Sequence, residues 1–182
     1  RHTGFVVGAE LFDNVAFAIS PAEAAAMDPC QRLVLELGDA ALHNAAMDRK
    51  ELSGSLTGVF LGCCASEFPE VLSALPAGGS VYDAPRSASA VASGRISYAL
   101  GLHGPCASYD TACSATLVAS HAGLRALQLG ECSGGLAAGV AEGRTPAHRP
   151  RQKAAPEAFG PERKCRIAPG AGHKRGVHVA VE

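Results

Sequence analysis

Along this chain, stretches whose apolar residues recur at helical spacing alternate with short runs that are apolar throughout. Gly4-Phe5-Val6-Val7 and Leu11-Phe12-Asp13 read as an irregular entry with short extended pieces. Ser20-Pro21-Ala22-Glu23 then carries a helix start: Ser20 as cap, Pro21 at the first helical position and Glu23 placed to close a capping box. Asp28-Pro29 ends that short helix and caps a second, in which Leu33, Leu37, Ala40, Ala41 and Leu42 recur near helical spacing as far as about Ala46. Thr57 to Cys64 is apolar and bounded by glycine, as a buried strand would be. Residues 65–85 read as a loop with room for one helical turn. Ser89 to Leu100 predicts a helix closed by Gly101, and Pro105 to Asp110 a second strand. Ser114 to Leu129 predicts a helix with Leu117, Leu124 and Leu127 on one face and Gly130 just past its end. Gly134 to Val140 is a third strand of little side-chain bulk, and His178-Val179-Ala180-Val181 can begin another. Helices alternating with buried strands predict an α/β layered domain.

Composition narrows the class. Of 182 residues, 47% are hydrophobic and 18% charged, too apolar for a disordered chain, and no run approaches the roughly 20 apolar residues of a membrane span. The chain shows no charged-then-apolar signal pattern, so the cytoplasm is the expected compartment, with a plastid as the other compatible one. The charge is uneven: a balance of −7 over residues 1–143 and +6 over residues 144–182. Residues 143–176 also hold five prolines and five glycines without periodicity, so the chain divides into an organised part, 1–142, and a basic, Pro/Gly-rich continuation, 143–182, expected to be poorly ordered. No aromatic ladder accompanies the basic residues, which argues for a solvated end over a nucleic-acid surface. The seven cysteines (30, 63, 64, 106, 113, 132 and 165) show no Cys-x-x-Cys pair, which argues against a zinc site and a disulfide framework and for small buried hydrophobes.

One segment singles out a cysteine. Gly104 to Leu117 runs from a strand through a short turn into a helix and puts Cys113 at the junction. Unpaired N–H groups and the partial positive charge of a helix start favour thiolate over thiol, and the thiolate is the nucleophile. The same N–H groups can hold the oxyanion formed when a thioester is attacked. Asp110 and Thr111 are placed to fix the turn, and small residues at 112, 114 and 115 leave room for a substrate. These residues alone suit a nucleophile and a small buried core thiol equally well.

Asp110-Thr111-Ala112-Cys113-Ser114 after Gly104-Pro105 resembles the active-site signature of β-ketoacyl synthases, DTACSSS after GPS, with Cys106 at the usual serine and Ala115-Thr116 for a Ser-Ser pair. Four more segments match in the family's order. Phe12-Asp13 through Ile19-Ser20-Pro21-Ala22-Glu23-Ala24 resembles FDAAFFGISPREA. Met27-Asp28-Pro29-Cys30-Gln31-Arg32-Leu33-Val34-Leu35-Glu36 resembles MDPQQRLLLE of polyketide and animal-type fatty acid synthases. Ala92 to Leu102 resembles AAGRISYLLGL, and Gly130-Glu131-Cys132 with Ala137 to Val140 resembles GECDLALAGGV.

The resemblance implies the thiolase-like fold, here incomplete and mainly its N-terminal half, and a homodimer. It implies decarboxylative Claisen condensation in polyketide biosynthesis. Cys113 takes an acyl chain from the phosphopantetheine thioester of an acyl carrier protein, and a malonyl-type extender then attacks it. No cofactor or metal is implied beyond that delivered thioester; the partners are the carrier protein and the other synthase domains, with no nucleic acid. The family's two histidines lie in HGTGT-like and NxGH-like motifs, and neither occurs here. His2, His43, His103, His121, His148, His173 and His178 lack that context. His121 reads as a packing or surface residue and His103 as a loop residue. The expectation is therefore a thiol that can be acylated on a chain that does not complete condensation. Departures cluster at Asp39-Ala40, where the family carries an aromatic and a glutamate, at Ala141-Glu142, and in the tail, where Gly160 to Arg166 and Arg175-Gly176 echo the family around Ile167 to Gly172, which lacks its Phe-Asp. The alternatives are a type I fatty acid synthase domain and a non-catalytic, dimerising fragment of a ketosynthase.

Overall fold

A computed structural model describes residues 11–64, 68 and 88–140, together with the backbone of 175–181. Readings that fall on Gly4 to Val7, on the rest of 65–85 and on 143–174 lie outside the described residues. Three helices come first: α1 (Pro21–Ala26), α2 (Pro29–Asn44) and α3 (Arg49–Leu52). Then follow β1 (Thr57–Cys63), α4 (Ser89–Leu100), β2 (Cys106–Tyr109), a single 3-10 turn (Ala112–Ser114), α5 (Ala115–Leu129), β3 (Gly134–Val140) and β4 (Arg175–Val181). The strands form one parallel sheet in the order β2-β1-β3-β4. Parallel strands covered on both faces need no polar side, and every residue of β1 and β3 is buried.

Strand alternation divides β1 and β3 between two layers. Val59, Leu61 and Cys63, with Leu136, Ala138 and Val140 opposite them, face the large core that α2 and α4 complete with Val34, Leu35, Leu42, Ile96 and Leu100. Phe60 faces the other way, into a small cluster with Ala119, Ala126 and Cys132 on the α5 side. Helix α2 comes close to β3 because position 38 is glycine: a Cβ there would stand 3.1 Å from Leu136 Cδ2.

The caps follow the sequence. Ser20 Oγ accepts from the Glu23 N–H at 3.2 Å, but the Glu23 carboxylate is ion-paired with Arg95 of α4, so the capping box is half used and its acid ties α1 to α4. Asp28, almost fully buried, accepts from the Cys30 N–H at 2.7 Å and caps α2. Gly101 and Gly130 close α4 and α5 in the left-handed conformation, at φ 67° and 77°. Asp39, one of the departures from the family pattern, is paired with Arg49 at 2.9 and 3.0 Å. The same guanidinium donates to the Ala16 carbonyl at 2.6 Å and lies over the Phe17 ring, tying the entry segment to α2 and α3.

Several expectations need correction. Helix α2 ends at Asn44 and buries Gln31, Val34, Leu35, Gly38, Ala41 and Leu42, leaving Ala40 exposed. Helix α5 turns its alanines inward: Ala115, Ala119, Gly123 and Ala126 are buried, whereas Leu117 and Leu124 are exposed and Leu127 is half-buried. Leu117 and Leu124 mark its outer side because the layer between α5 and the sheet is too thin for them, whereas Leu127 packs against the Phe60 cluster. Strand β4 begins three residues before His178.

Candidate active site

The carboxyl ends of parallel strands, where helices begin, are where open α/β sheets gather their chemistry. Here β1 ends at Cys63-Cys64, and its neighbour β2, in register through Gly62 and Tyr109, runs on into Asp110. The chain then turns through Thr111 and Ala112, and Ala112 takes a φ of 52°, a conformation few residues with a Cβ adopt. Strain of this kind gathers at functional positions. The Ala112 N–H points to Asp110 Oδ1 at a long 3.4 Å, and Ser114 Oγ donates to the Thr111 carbonyl at 2.8 Å and stands 3.0 Å from Thr111 Oγ1. Both residues read from the sequence as turn-fixing therefore take part, Thr111 through Ser114.

Cys113 lies inside this 3-10 turn, and its side chain is exposed. Cys113 is thus not part of the described core. The neighbours differ: Cys63 is buried, Cys64 half-buried, and Cys106 exposed at the start of β2. With Cys30 half-buried and Cys132 buried, only two of the six described cysteines are the buried hydrophobes that composition suggested. Burial pushes the Cys63 thiol up, partly offset by its hydrogen bond with Ser108. Burial and then the Asp110 carboxylate push the Cys64 thiol up. Both remain protonated at neutral pH.

What brings the turn over the strand end is the absence of side chains beneath it. A Cβ on Gly62 would lie 2.5 Å from the Ala115 carbonyl carbon and the Thr116 nitrogen, and one on Gly139 would overlap the Thr116 side chain. The first turn of α5 therefore rests on the backbone of β1 and β3, with the positive end of a 15-residue helix beside Cys113. A narrow cleft opens on the opposite side of the strand end, lined by Asp28, Cys30, Cys63, Cys64 and Ser89 among others. His121 lies two turns along α5 from Cys113 and is exposed, and His103 is exposed before β2, so neither is brought to the cysteine. Among the described residues no three His, Cys, Asp or Glu side chains are grouped to hold a metal ion, and no helix is long and apolar enough to cross a membrane.

Comparison with known proteins agrees with this architecture. The family model "Beta-ketoacyl synthase, N-terminal domain" matches residues 1–173. Over 146 residues the chain is 44% identical to the spectinabilin polyketide synthase system protein NorC of Streptomyces orinoci, a match covering 80% of this chain and 6% of that protein. Over 140 residues it is 44% identical to the erythronolide synthase EryA3 of Saccharopolyspora erythraea, covering 77% of this chain and 4% of the relative. The chain thus spans less than a tenth of the length of these relatives. Among solved structures, the ketosynthase from module 6 of the bacillaene synthase of Bacillus subtilis 168 superposes with a TM-score of 0.60 at 35% identity, over 71% of this chain and 21% of that one.

Proposed function

The chain belongs to the β-ketoacyl synthase family, and from that premise we propose that Cys113 is its acyl-accepting nucleophile, serving the condensing step of a modular polyketide synthase. The observation that carries this reading is the exposed Cys113 thiol in a strained turn at the start of α5, inside the family's own cysteine segment. The Cys113 thiolate attacks the thioester carbonyl on the phosphopantetheine arm of an acyl carrier protein. The carrier thiol leaves, and the acyl group stays on Cys113. Backbone N–H groups at the helix start face the oxygen on which negative charge develops. A carrier protein, neighbouring synthase domains and a second copy of the chain are the proposed partners, and the cytoplasm the proposed place of work. The polyketide synthases among the relatives favour this pathway over fatty acid synthesis.

Condensation needs more than a thiol. The histidines that the resemblance assigns to decarboxylation and enolate stabilisation have no counterpart in motif among these residues. We therefore expect the 182-residue chain by itself to transacylate without forming a carbon–carbon bond. Incubation with a short acyl thioester, followed by peptide mass spectrometry, should show acylation of Cys113 and none at that position in Cys113→Ala. Adding a malonyl thioester should yield no β-ketoacyl product. An unacylated Cys113 in folded protein would refute the nucleophile, and a β-ketoacyl product would refute the division of labour.

A further inference from the structure

The corner that carries Cys113 also holds a second thiol to which that mechanism gives no task. The first turn of α5 rests on Gly62, two residues before Cys64, and Cys113 stands two residues before Ala115, one of the residues against which a Gly62 Cβ would press. The two contacts bring both cysteines to the same strand end. Cys64 lies just past the end of β1, while Cys63, the last residue of the strand, packs into the large core beside Leu61 and Val140. Cys64 is half-buried and Cys113 exposed. The Cys64 thiol is hydrogen-bonded with the Asp110 carboxylate, and an ionised Cys113 raises it further. Neighbouring strands lie about 4.8 Å apart, and a disulfide joins Cα atoms roughly 4.4–6.8 Å apart. A thiol just past the end of one strand and one in the turn that follows its neighbour are thus placed at the same corner of the sheet.

We propose that Cys64 is the resolving thiol of Cys113, capturing the oxidised nucleophile as a disulfide and keeping it recoverable. A hydroperoxide supplies the oxidation: the Cys113 sulfur attacks the peroxide, takes one oxygen and becomes a sulfenic acid, while the peroxide is reduced to water or an alcohol. The Cys64 sulfur then attacks the Cys113 sulfur. The S–S bond forms, the S–O bond breaks, and the oxygen leaves as water with the proton from Cys64, which the adjacent Asp110 carboxylate can relay. A small thiol reductant returns both residues to thiols. Because burial and Asp110 hold Cys64 protonated, a peroxide meets Cys113 as the reactive partner, and Cys64 acts second. The inference rests on the nucleophilic character proposed for Cys113 but requires nothing of acyl transfer.

The test uses the whole chain, reduced and then exposed to hydrogen peroxide, with free thiols blocked and linked peptides assigned by tandem mass spectrometry. The expected product is a Cys64–Cys113 link in the parent and in Cys63→Ser, reversed by a thiol reductant. In Cys64→Ser that link is lost and Cys113 proceeds to sulfinic acid, which the reductant does not reverse. Thioester acylation of Cys113, measured alongside and unchanged in Cys64→Ser, shows that the variant is folded. Sulfinic acid forming at the same rate in parent and Cys64→Ser, or a link from Cys113 to any other cysteine, overturns the role of Cys64 and leaves the acylation reading standing. A Cys113 inert to both thioester and peroxide overturns both.

Discussion

The two faces of the sheet are built on opposite plans. On the α2 and α4 side, large aliphatic side chains interlock: Leu35, Leu42, Leu61, Ile96 and Leu136 are all essentially inaccessible. On the α5 side the Phe60 ring is the one large buried side chain of the described cluster, with Tyr109 and Leu127 packed at its margin. Phe60 occupies a slot where a Cβ on Gly123 would come within 3.0 Å of its ring and one on Gly135 within 3.7 Å, and the helix presents Ala119 and Ala126 to it. The first plan gains stability from buried volume. The second gives up volume for closeness, and closeness is what sets the start of α5 on top of the β1 backbone. Bulk holds the domain together, and the lack of bulk positions the thiol.

Adjacent residues on β1 separate these roles, and here the largest effects are expected. Phe60→Ala should cost about 3–5 kcal/mol of unfolding free energy and Leu61→Ala about 2–5 kcal/mol, both read from urea unfolding. Their consequences for Cys113 should differ. Among molecules that remain folded, Leu61→Ala should leave the alkylation rate of Cys113 as it is, because the α5 face is untouched. Phe60→Ala loosens the seat of α5 and should change that rate. Equal behaviour of the two would mean that the faces do not divide stability from positioning.

A finer cut is Gly62→Ala. The added methyl meets backbone atoms of Ala115 and Thr116, which cannot rotate away, so the first turn of α5 has to lift. Overpacking of this kind costs about 1–3 kcal/mol. The sharper readout is Cys113: its acylation by a thioester should slow by more than the loss of stability accounts for. A variant that unfolds earlier but acylates at the parental rate when folded would show that the contact serves stability alone.

The sequence disclosed these two plans unequally. The unbroken apolar runs of β1 and β3, Ser20 and Asp28 as caps, and Gly101 and Gly130 as stops all read correctly because each acts through neighbours in the chain. The inner face of α5 was not legible in the same way. Its leucines are the most apolar residues of the helix, and hydrophobicity alone turns them inward; only the glycines at 62, 135 and 139 of two other elements reveal that alanines must face the sheet. Cys113 stood out through its segment, but its exposure was left undecided until the turn with Ala112 at positive φ was seen. The pairing of Cys64 with this corner depends on β1 meeting α5 across more than 40 positions, which no local pattern encodes. Asp39 looked like a mere departure from the family pattern until Arg49, ten residues on, was found to hold it.

The smallest effect belongs to the outer side of α5. Leu117 and Leu124 are 73% and 52% exposed and share that side with His121 and Gln128. If the inner alanines alone fix the helix, these leucines contribute little to the fold of this chain. Glutamine suits the test, since its helix propensity is close to that of leucine and the exchange then reports on packing. Leu117→Gln and Leu124→Gln should each change unfolding free energy by no more than about 0.5 kcal/mol, as surface substitutions do, and leave Cys113 equally reactive. A loss approaching that of Leu61→Ala would show that α5 packs on both sides, and the contrast between a bulky face and a close one would then describe only its inner contact.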